Sequence, residues 1–474
     1  MLTQELTTMN GKTRPDREAI ENLKSKLRGG LYLPGESGYE QARSIWNGMI
    51  ERRPGWVARC TGVADVIAAI NFAHDNDLVL SVRGGGHNVA GSAVCEGGLM
   101  VDLSLMRGIH VDPDRRIARV QPGSNWGDLD RETQLFGLAV PGGIVSATGV
   151  AGLTLGGGFG WLSRKYGLTS DSLLSVDVVL ADGRFLKASN TENPDLFWGI
   201  RGGGGNFGIV TSFEFQLQPI GPEVMAGLIF YPFEDAREVL EFYREFTANA
   251  PDELGALAVL RIAPPAPFLP KYVHGQPVVI VGVCYAGSVE DGEQFVRPLK
   301  EFGSPLVDLV GRKPFMAHQT VLDAASPSGR RYYWKSEYLS ELNDEARKTL
   351  VDYAANLSSP MTSVLVFQLG GAISRVGEHE TAAGNRDAAY VLNIQSAWED
   401  AEQTDKHIEW TRTFWHDMQP FSSGGVYMNF LSEGEGDARI RAAYPCNYER
   451  LVELKNKYDP TNLFRMNQNI KPTV

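Results

Sequence analysis

Three glycine-rich runs, far apart in the chain, constrain what it can fold into more than any other feature. They are Arg83-Gly84-Gly85-Gly86-His87-Asn88, the long stretch from Pro141 to Leu168, and the run from Arg201 that carries Gly202 to Gly205 and Gly208. Glycine loses more backbone entropy on ordering than any other residue. A chain therefore tolerates it chiefly where backbone must approach a ligand or other backbone closely. With 52 glycines in 474 residues, the excess over a usual share of about 7% is concentrated in these runs. Together they point to a large, flat, phosphate-bearing cofactor threaded between loops.

The first run follows a β-rich segment, Leu78 to Val82, so it reads as a strand ending in a tight loop. Consecutive backbone N–H groups in such a loop form an anion-binding concavity suited to a pyrophosphate. His87 comes directly after the glycines, which holds its imidazole against whatever the loop binds. The plainer reading is a tight turn closing on an ordinary histidine. The third run contains Gly203-Gly204-Gly205-Asn206-Phe207-Gly208, a literal match to G-x-G-x-x-G. That pattern works when a strand precedes it and a helix follows, so that the pyrophosphate meets the helix N-terminus. Here Ile209 to Leu217 alternates apolar and polar residues as a half-buried strand does. A dinucleotide fold of that type is excluded, and the chain holds no phosphate-loop, zinc-protease or nucleophile-elbow motif.

Helical spacing marks residues 17–27 and 62–78, the latter through Val63, Val66, Ile67 and Ile70. Residues 127–138 read as another helix with Gly137 where a C-cap belongs. Residues 172–189 read as a hairpin turning at Asp182-Gly183. The texture changes at Pro219-Ile220-Gly221-Pro222, where a domain boundary is expected. Beyond it, amphipathic helices (233–250 and 344–357) alternate with β-rich runs (277–287, 362–371 and 390–398), and a helix from Tyr448 is stopped by Asp459-Pro460.

The formal charge of -12 disfavours nucleic acid and anionic membrane as partners, since both need a basic surface. Cys60, Cys95, Cys284 and Cys446 have no C-x-x-C spacing and the eight histidines are dispersed. Neither a disulfide framework nor a metal site is expected. The first 33 residues lack the apolar core of an export signal and no run is long enough to span a bilayer, so a cytoplasmic protein is expected.

The segments SVRGGGHN, PGGIVSATGVAGLTLGGGFGWLSRKYGL, DLFWGIRGGGGNFGIVTSFEFQL and YDPTNLFRMNQNI, in that order, resemble the berberine-bridge-enzyme-like FAD-linked oxidases. These belong to the vanillyl-alcohol-oxidase and p-cresol methylhydroxylase superfamily, with bacterial 6-hydroxynicotine and oligosaccharide oxidases the nearest relatives. The match runs from about residue 40 to the C-terminus. It implies an α+β, two-domain fold. Residues 1–220 would form the FAD-binding (PCMH-type) domain. Residues 221–440 would form a substrate domain built on an antiparallel sheet backed by helices, and residues 441–474 would return to the FAD domain. By the same resemblance His87 bonds covalently to FAD, and Arg83, Gly84, Gly85, Gly86 and Asn88 complete the pyrophosphate loop. Val145 stands where many relatives carry a second linking cysteine, so a single link is expected. Gly149, Gly152, Gly156 and Gly157 would line the ring and ribityl chain. Ile209, Val210, Asn429 and Asn467 would contribute further cofactor contacts.

Strand alternation over Ala389 to Ala397 puts Asn393 and Gln395 on one face and Leu392 and Ile394 on the other. The family keeps its catalytic or orienting side chains at the first two positions, and Lys335 and Tyr427 match further active-site positions. The implied activity is hydride removal from a C–H of a small neutral alcohol, sugar or secondary metabolite. An anionic substrate also suits uncharged Asn393 and Gln395 beside a cationic Lys335. Tyr427 would take the hydroxyl proton, its pKa lowered by Lys335. Thr148, at the family's oxygen gatekeeper position, is small enough for reoxidation by molecular oxygen to hydrogen peroxide. The alternatives are a dehydrogenase of the same fold using another acceptor and a catalytically silent flavin-binding protein.

Overall fold

The computed structural model describes residues 5–474. Besides two short two-stranded ribbons, the described residues of the first half of the chain build two larger sheets. β1 (Leu31–Tyr32), β2 (Trp56–Arg59), β3 (Leu80–Arg83) and β4 (Leu99–Asp102) form a four-stranded sheet in the order β1-β2-β4-β3. Both β2 and β3 run parallel to β4. The parallel crossover between β2 and β3 is α1 (Val63–Asp75), which buries Val66, Ala69, Ile70 and Ala73 against this sheet.

The second sheet is antiparallel, in the order β8-β7-β9-β6-β5. Its strands are β5 (Ile109–Asp112), β6 (Ile117–Val120), β7 (Leu173–Val179), β8 (Phe185–Ser189) and β9 (Ile209–Gln216). β7 and β8 are the expected hairpin, with Gly183 at φ +79° in the turn. β9 alternates buried and half-buried residues from Thr211 onward, and the helix beside the third glycine run, α4 (Pro194–Ile200), precedes that run rather than following it. Between β6 and β7 lie α2 (Trp126–Thr133), whose Gly137 C-cap sits one 3₁₀ turn later at φ +64°, and the six-residue α3 (Val150–Leu155).

After the Pro219–Pro222 corner comes one large antiparallel sheet. Its strands are β10 (Glu223–Pro232), β11 (Leu254–Ile262), β12 (Pro277–Tyr285), β13 (Val307–Asp308), β14 (Gly311–Pro314), β15 (Arg331–Leu339), β16 (Ser363–Gln368) and β17 (Tyr390–Trp398). The order is β13-β10-β12-β11-β16-β17-β15, with β14 also on β10. Most antiparallel sheets leave one face in water and alternate accordingly. These strands read as near-continuous apolar runs because both faces are covered. On the back, Ala258, Leu260, Val364, Val366, Leu392 and Ile394 pack against helices α5 (Ala236–Ala248), α7 (Asp344–Ala354) and α8 (Thr404–Met418), and α6 (Val289–Glu301) covers β10. On the front, Leu257, Val259, Leu365, Phe367 and Val391 meet Phe159 and Trp161 from the long glycine stretch.

From Val426 onward the chain packs with the first half. Met428, Leu431, Leu451, Leu454 and Ile470 share a core with Phe197, Phe207, Phe213 and Phe215. Within α9 (Tyr448–Tyr458), buried Lys455 donates through Nζ to the Asn206 carbonyl at 2.9 Å, the Phe464 carbonyl at 3.1 Å and the Asp459 carboxylate at 2.7 Å. The C-terminal tail is thereby fastened to the third glycine run. No helix among the described residues is long and apolar enough to cross a membrane.

Candidate active site

All three glycine runs converge on one elongated cavity, roofed by the front of the large sheet. The first run leaves β3 at Arg83. A Cβ on Gly85 would lie 2.4 Å from Gly149 Cα, and one on Gly149 would lie 2.7 Å from Gly85 Cα. Two loops therefore meet backbone to backbone, which no other residue type permits. Gly86, at φ +68°, turns the chain so that His87 enters the cavity wall.

His87 is held by aromatic stacking. Its ring lies 4.3 Å from Trp46 at 19°, Trp46 lies 3.8 Å from Tyr332 at 15°, and Trp334 meets Trp46 edge-on. Trp46 is itself pinned by its indole N–H, which donates to the Ser326 carbonyl at 2.9 Å. His87 Nε2 is buried and has no hydrogen-bond partner. Burial pushes the imidazole pKa down to about 4, so the ring is neutral at pH 7 and keeps a nitrogen lone pair.

Gly84, Asn88, Val145, Thr148, Gly149 and Gly152 line the cavity beside His87. Gly204, Gly205, Ile209, Val210 and Asn467 line its far end, and Asn429 faces it from the C-terminal segment. The roof contributes Val259, Arg261, Ser363, Leu365, Phe367, Gln395 and Trp334. Tyr427 lies beside this roof. Its hydroxyl accepts from the Gly158 N–H at 3.2 Å and from Asn429 Nδ2 at 2.8 Å, and Asn429 Nδ2 also donates to the Leu153 carbonyl at 3.1 Å.

Several residues expected at the site lie elsewhere. Lys335 is on the back of the sheet. Along β15 the period of two sends Tyr332 and Trp334 forward, while Lys335 stacks its ammonium over Trp415 of α8 and pairs with buried Glu435 at 2.7 Å. With that cation gone from the cavity, burial raises the Tyr427 pKa and outweighs the hydrogen bonds from Asn429 and the Gly158 and Phe159 backbone, which alone act to lower it. The phenol therefore stays protonated and is a hydrogen-bond donor rather than the expected base. Arg83 does not line the cavity: it donates through Nη1 to the Ala42 carbonyl at 2.8 Å, with its Nε 3.9 Å from fully buried Asp102. Gly156 and Gly157 leave room for protein rather than cofactor: a Cβ on Gly156 would fall 2.1 Å from Asn429 Oδ1, and one on Gly157 would meet Leu168. Asn393 shares Gln395's face but sits one row deeper, fully buried between Ser336 and Leu365, and does not reach the cavity.

Sequence reasoning missed Trp46, Trp334, Arg261 and Ser363. Trp46 is 41 positions from His87 with no motif around it. Arg261 carries a usable signal, a lone cation at the end of the apolar run Leu254 to Ile262.

Residues 54–189 match the FAD binding domain family, and residues 426–471 match the berberine and berberine-like family. Over 460 residues the chain is 30% identical to an FAD-linked oxidoreductase of Dictyostelium discoideum, covering 96% of this chain and 97% of that one. Over 459 residues it is 32% identical to (R)-6-hydroxynicotine oxidase of Paenarthrobacter nicotinovorans, covering 94% and 97%. The crystal structure of 6-hydroxy-D-nicotine oxidase from Arthrobacter nicotinovorans superposes with a TM-score of 0.83 at 29% identity, over 94% of this chain and 98% of that one.

Proposed function

The chain belongs to the berberine-bridge-enzyme-like FAD-linked oxidoreductases, and from that premise we propose that it is an oxidase removing a hydride from a C–H of a small alcohol, sugar or secondary metabolite. The residues present fit FAD on two counts. Glycine backbone from three loops lines the cavity where a long cofactor must pass close, and His87 lines it with an unpartnered ring nitrogen. That orphaned nitrogen is the observation that carries the reading. His87 would hold FAD covalently, as the only link, because Val145 offers no thiol. When bound, FAD supplies the hydride acceptor and, through its reoxidation by molecular oxygen, hydrogen peroxide.

The chain's own groups have distinct tasks. The Trp46–Tyr332 stack fixes the orientation of the His87 ring before any ligand arrives. The Tyr427 oxygen already accepts two hydrogen bonds, which leaves its proton free to bond a substrate oxygen. The Gln395 amide, facing the same space, orients the substrate hydroxyl. Val259, Leu365 and Phe367 exclude water from the reacting face. Thr148 is small enough to leave a path for oxygen. The four cysteines, three buried and one exposed, are all unpaired, which suits a reducing cytoplasm.

The test is a panel of alcohols, sugars, hydroxy acids and hydroxylated aromatics added to the purified protein. Substrate-driven bleaching with one oxygen consumed per peroxide released supports the oxidase. Bleaching that air does not reverse identifies a dehydrogenase of the same fold. Absence of bleaching across the panel defeats both.

A further inference from the structure

Among the described residues that line the cavity there is no Asp, Glu or Lys, and the one permanently charged side chain is Arg261. Its Nε donates to the neighbouring Ile262 carbonyl at 3.2 Å, while its two terminal nitrogens make no hydrogen bond or ion pair to any described residue. The nearest charge acting on it is another cation, Arg330, whose own carboxylate partner Glu399 lies 3.7 Å away on the surface. A half-buried guanidinium beside a second cation, with no carboxylate of its own, is costly to keep unless something else supplies the negative charge.

The register of the sheet shows where that charge would sit. Arg261 pairs with Ser363, Ser363 with Gln395, and Gln395 with Trp334. Four adjacent strands thus present one straight row across the roof: a guanidinium, a hydroxyl, an amide and an indole N–H that is buried without a partner. The next row inward contributes Val259 and Leu365, and Phe367 lies beyond, all apolar. The cavity is therefore amphiphilic, with a hydrogen-bonding cationic strip at one end and a greasy body at the other.

Resting on the oxidase reading above, we propose that the substrate is a small organic acid whose carboxylate is bound by Arg261 in this strip while its apolar, oxidisable body lies under Val259, Leu365 and Phe367. A planar guanidinium binds a carboxylate through two parallel N–H···O bonds, and a site built that way rejects a neutral isostere because its donors are left unpaired. Arg261 is thus the specificity-determining residue, and among the substrate classes proposed above it selects those that carry a carboxylate.

The test is isothermal titration calorimetry of the purified holoprotein with benzoate and with its neutral isostere benzamide. Benzoate is expected to bind at least tenfold more tightly. Arg261→Gln should remove that preference while leaving benzamide affinity within twofold, and Arg261→Lys should keep part of it. Equal or tighter binding of benzamide by the wild type, which needs no variant to fold, overturns the proposal. So does a properly folded Arg261→Gln protein that retains the full preference. Heat of binding does not depend on colour. A colourless protein that still prefers benzoate would refute the flavin reading and leave the carboxylate site standing, and a yellow protein indifferent to charge would do the reverse.

Discussion

Replacing Gly85 with alanine tests whether the meeting of two glycine loops builds the site. The new Cβ would lie 2.4 Å from Gly149 Cα and 2.7 Å from its nitrogen, about 1 Å or more inside ordinary contact between carbon atoms. Both neighbours are backbone, so no side chain can swing aside and the loops must part. Overpacking of this kind costs about 1–3 kcal/mol, a fall in Tm on the order of 1–3 °C for a chain of this size. The functional loss should exceed the stability loss, because His87 lies two residues further on and depends on its 4.3 Å stack with Trp46. Covalently retained flavin should fall by more than half, measured as colour per protein after acid precipitation, with Tm read in parallel. Gly152→Ala is the control. Its Cβ meets nothing within 4 Å, yet the residue lines the cavity from within α3. It should hold or raise Tm, since alanine is favoured over glycine in a helix by about 0.5–1 kcal/mol, while still lowering flavin loading. A Gly85→Ala protein with unchanged Tm and full flavin would refute the close-approach reasoning.

Other expectations rest on buried charges. Asp130 in α2 is fully buried, accepts one hydrogen bond from Gln319 at 3.0 Å, and has its pKa pushed up to about 7 by burial. Its folded pKa lies above the unfolded one, so its contribution to stability is fully present below about pH 4 and is lost as pH rises through about 7. Asp130→Asn should therefore gain on the wild type by about 2–3 kcal/mol in denaturant unfolding between pH 5 and pH 8; a constant gap would contradict this. Lys335→Met should cost stability near the low end of about 3–5 kcal/mol, because buried Glu435 keeps only Arg439. Flavin content and turnover per folded molecule should stay within twofold, whereas a selective loss of turnover would return Lys335 to the site. Tyr427→Phe strands the Gly158 and Asn429 donors and should cost about 1–3 kcal/mol; the wild-type kcat profile should show no tyrosine ionisation below about pH 10.

Much of the fold was legible because local patterns agreed with long-range packing. The alternation of Ile209 to Gln216 and the absence of a helix after Gly208 removed the dinucleotide fold correctly, and α4 does lie on the wrong side of that motif. The parity of β17 placed Asn393 and Gln395 opposite Leu392 and Ile394, as found. Parity says which residues share a face but not how far along a strand the cavity reaches, so Asn393 was placed one row too shallow. Lys335 failed for a related reason: only the packing of α8 decides which face of β15 is the back. Gly156 looked like a cofactor glycine because close approach to Asn429, 273 positions later, leaves the same signature as close approach to a ligand. Trp46 left none, since a stacking partner is chosen by the fold rather than by its neighbours in sequence.

The central claim is the tether at His87, and mass spectrometry of acid-denatured protein addresses it most directly. The account predicts a tryptic peptide spanning His87 that carries one flavin adduct, no adduct on any cysteine peptide, and loss of the bound colour in His87→Ala. Flavin released quantitatively into the acid supernatant of the wild type, or an adduct elsewhere in the chain, would contradict it.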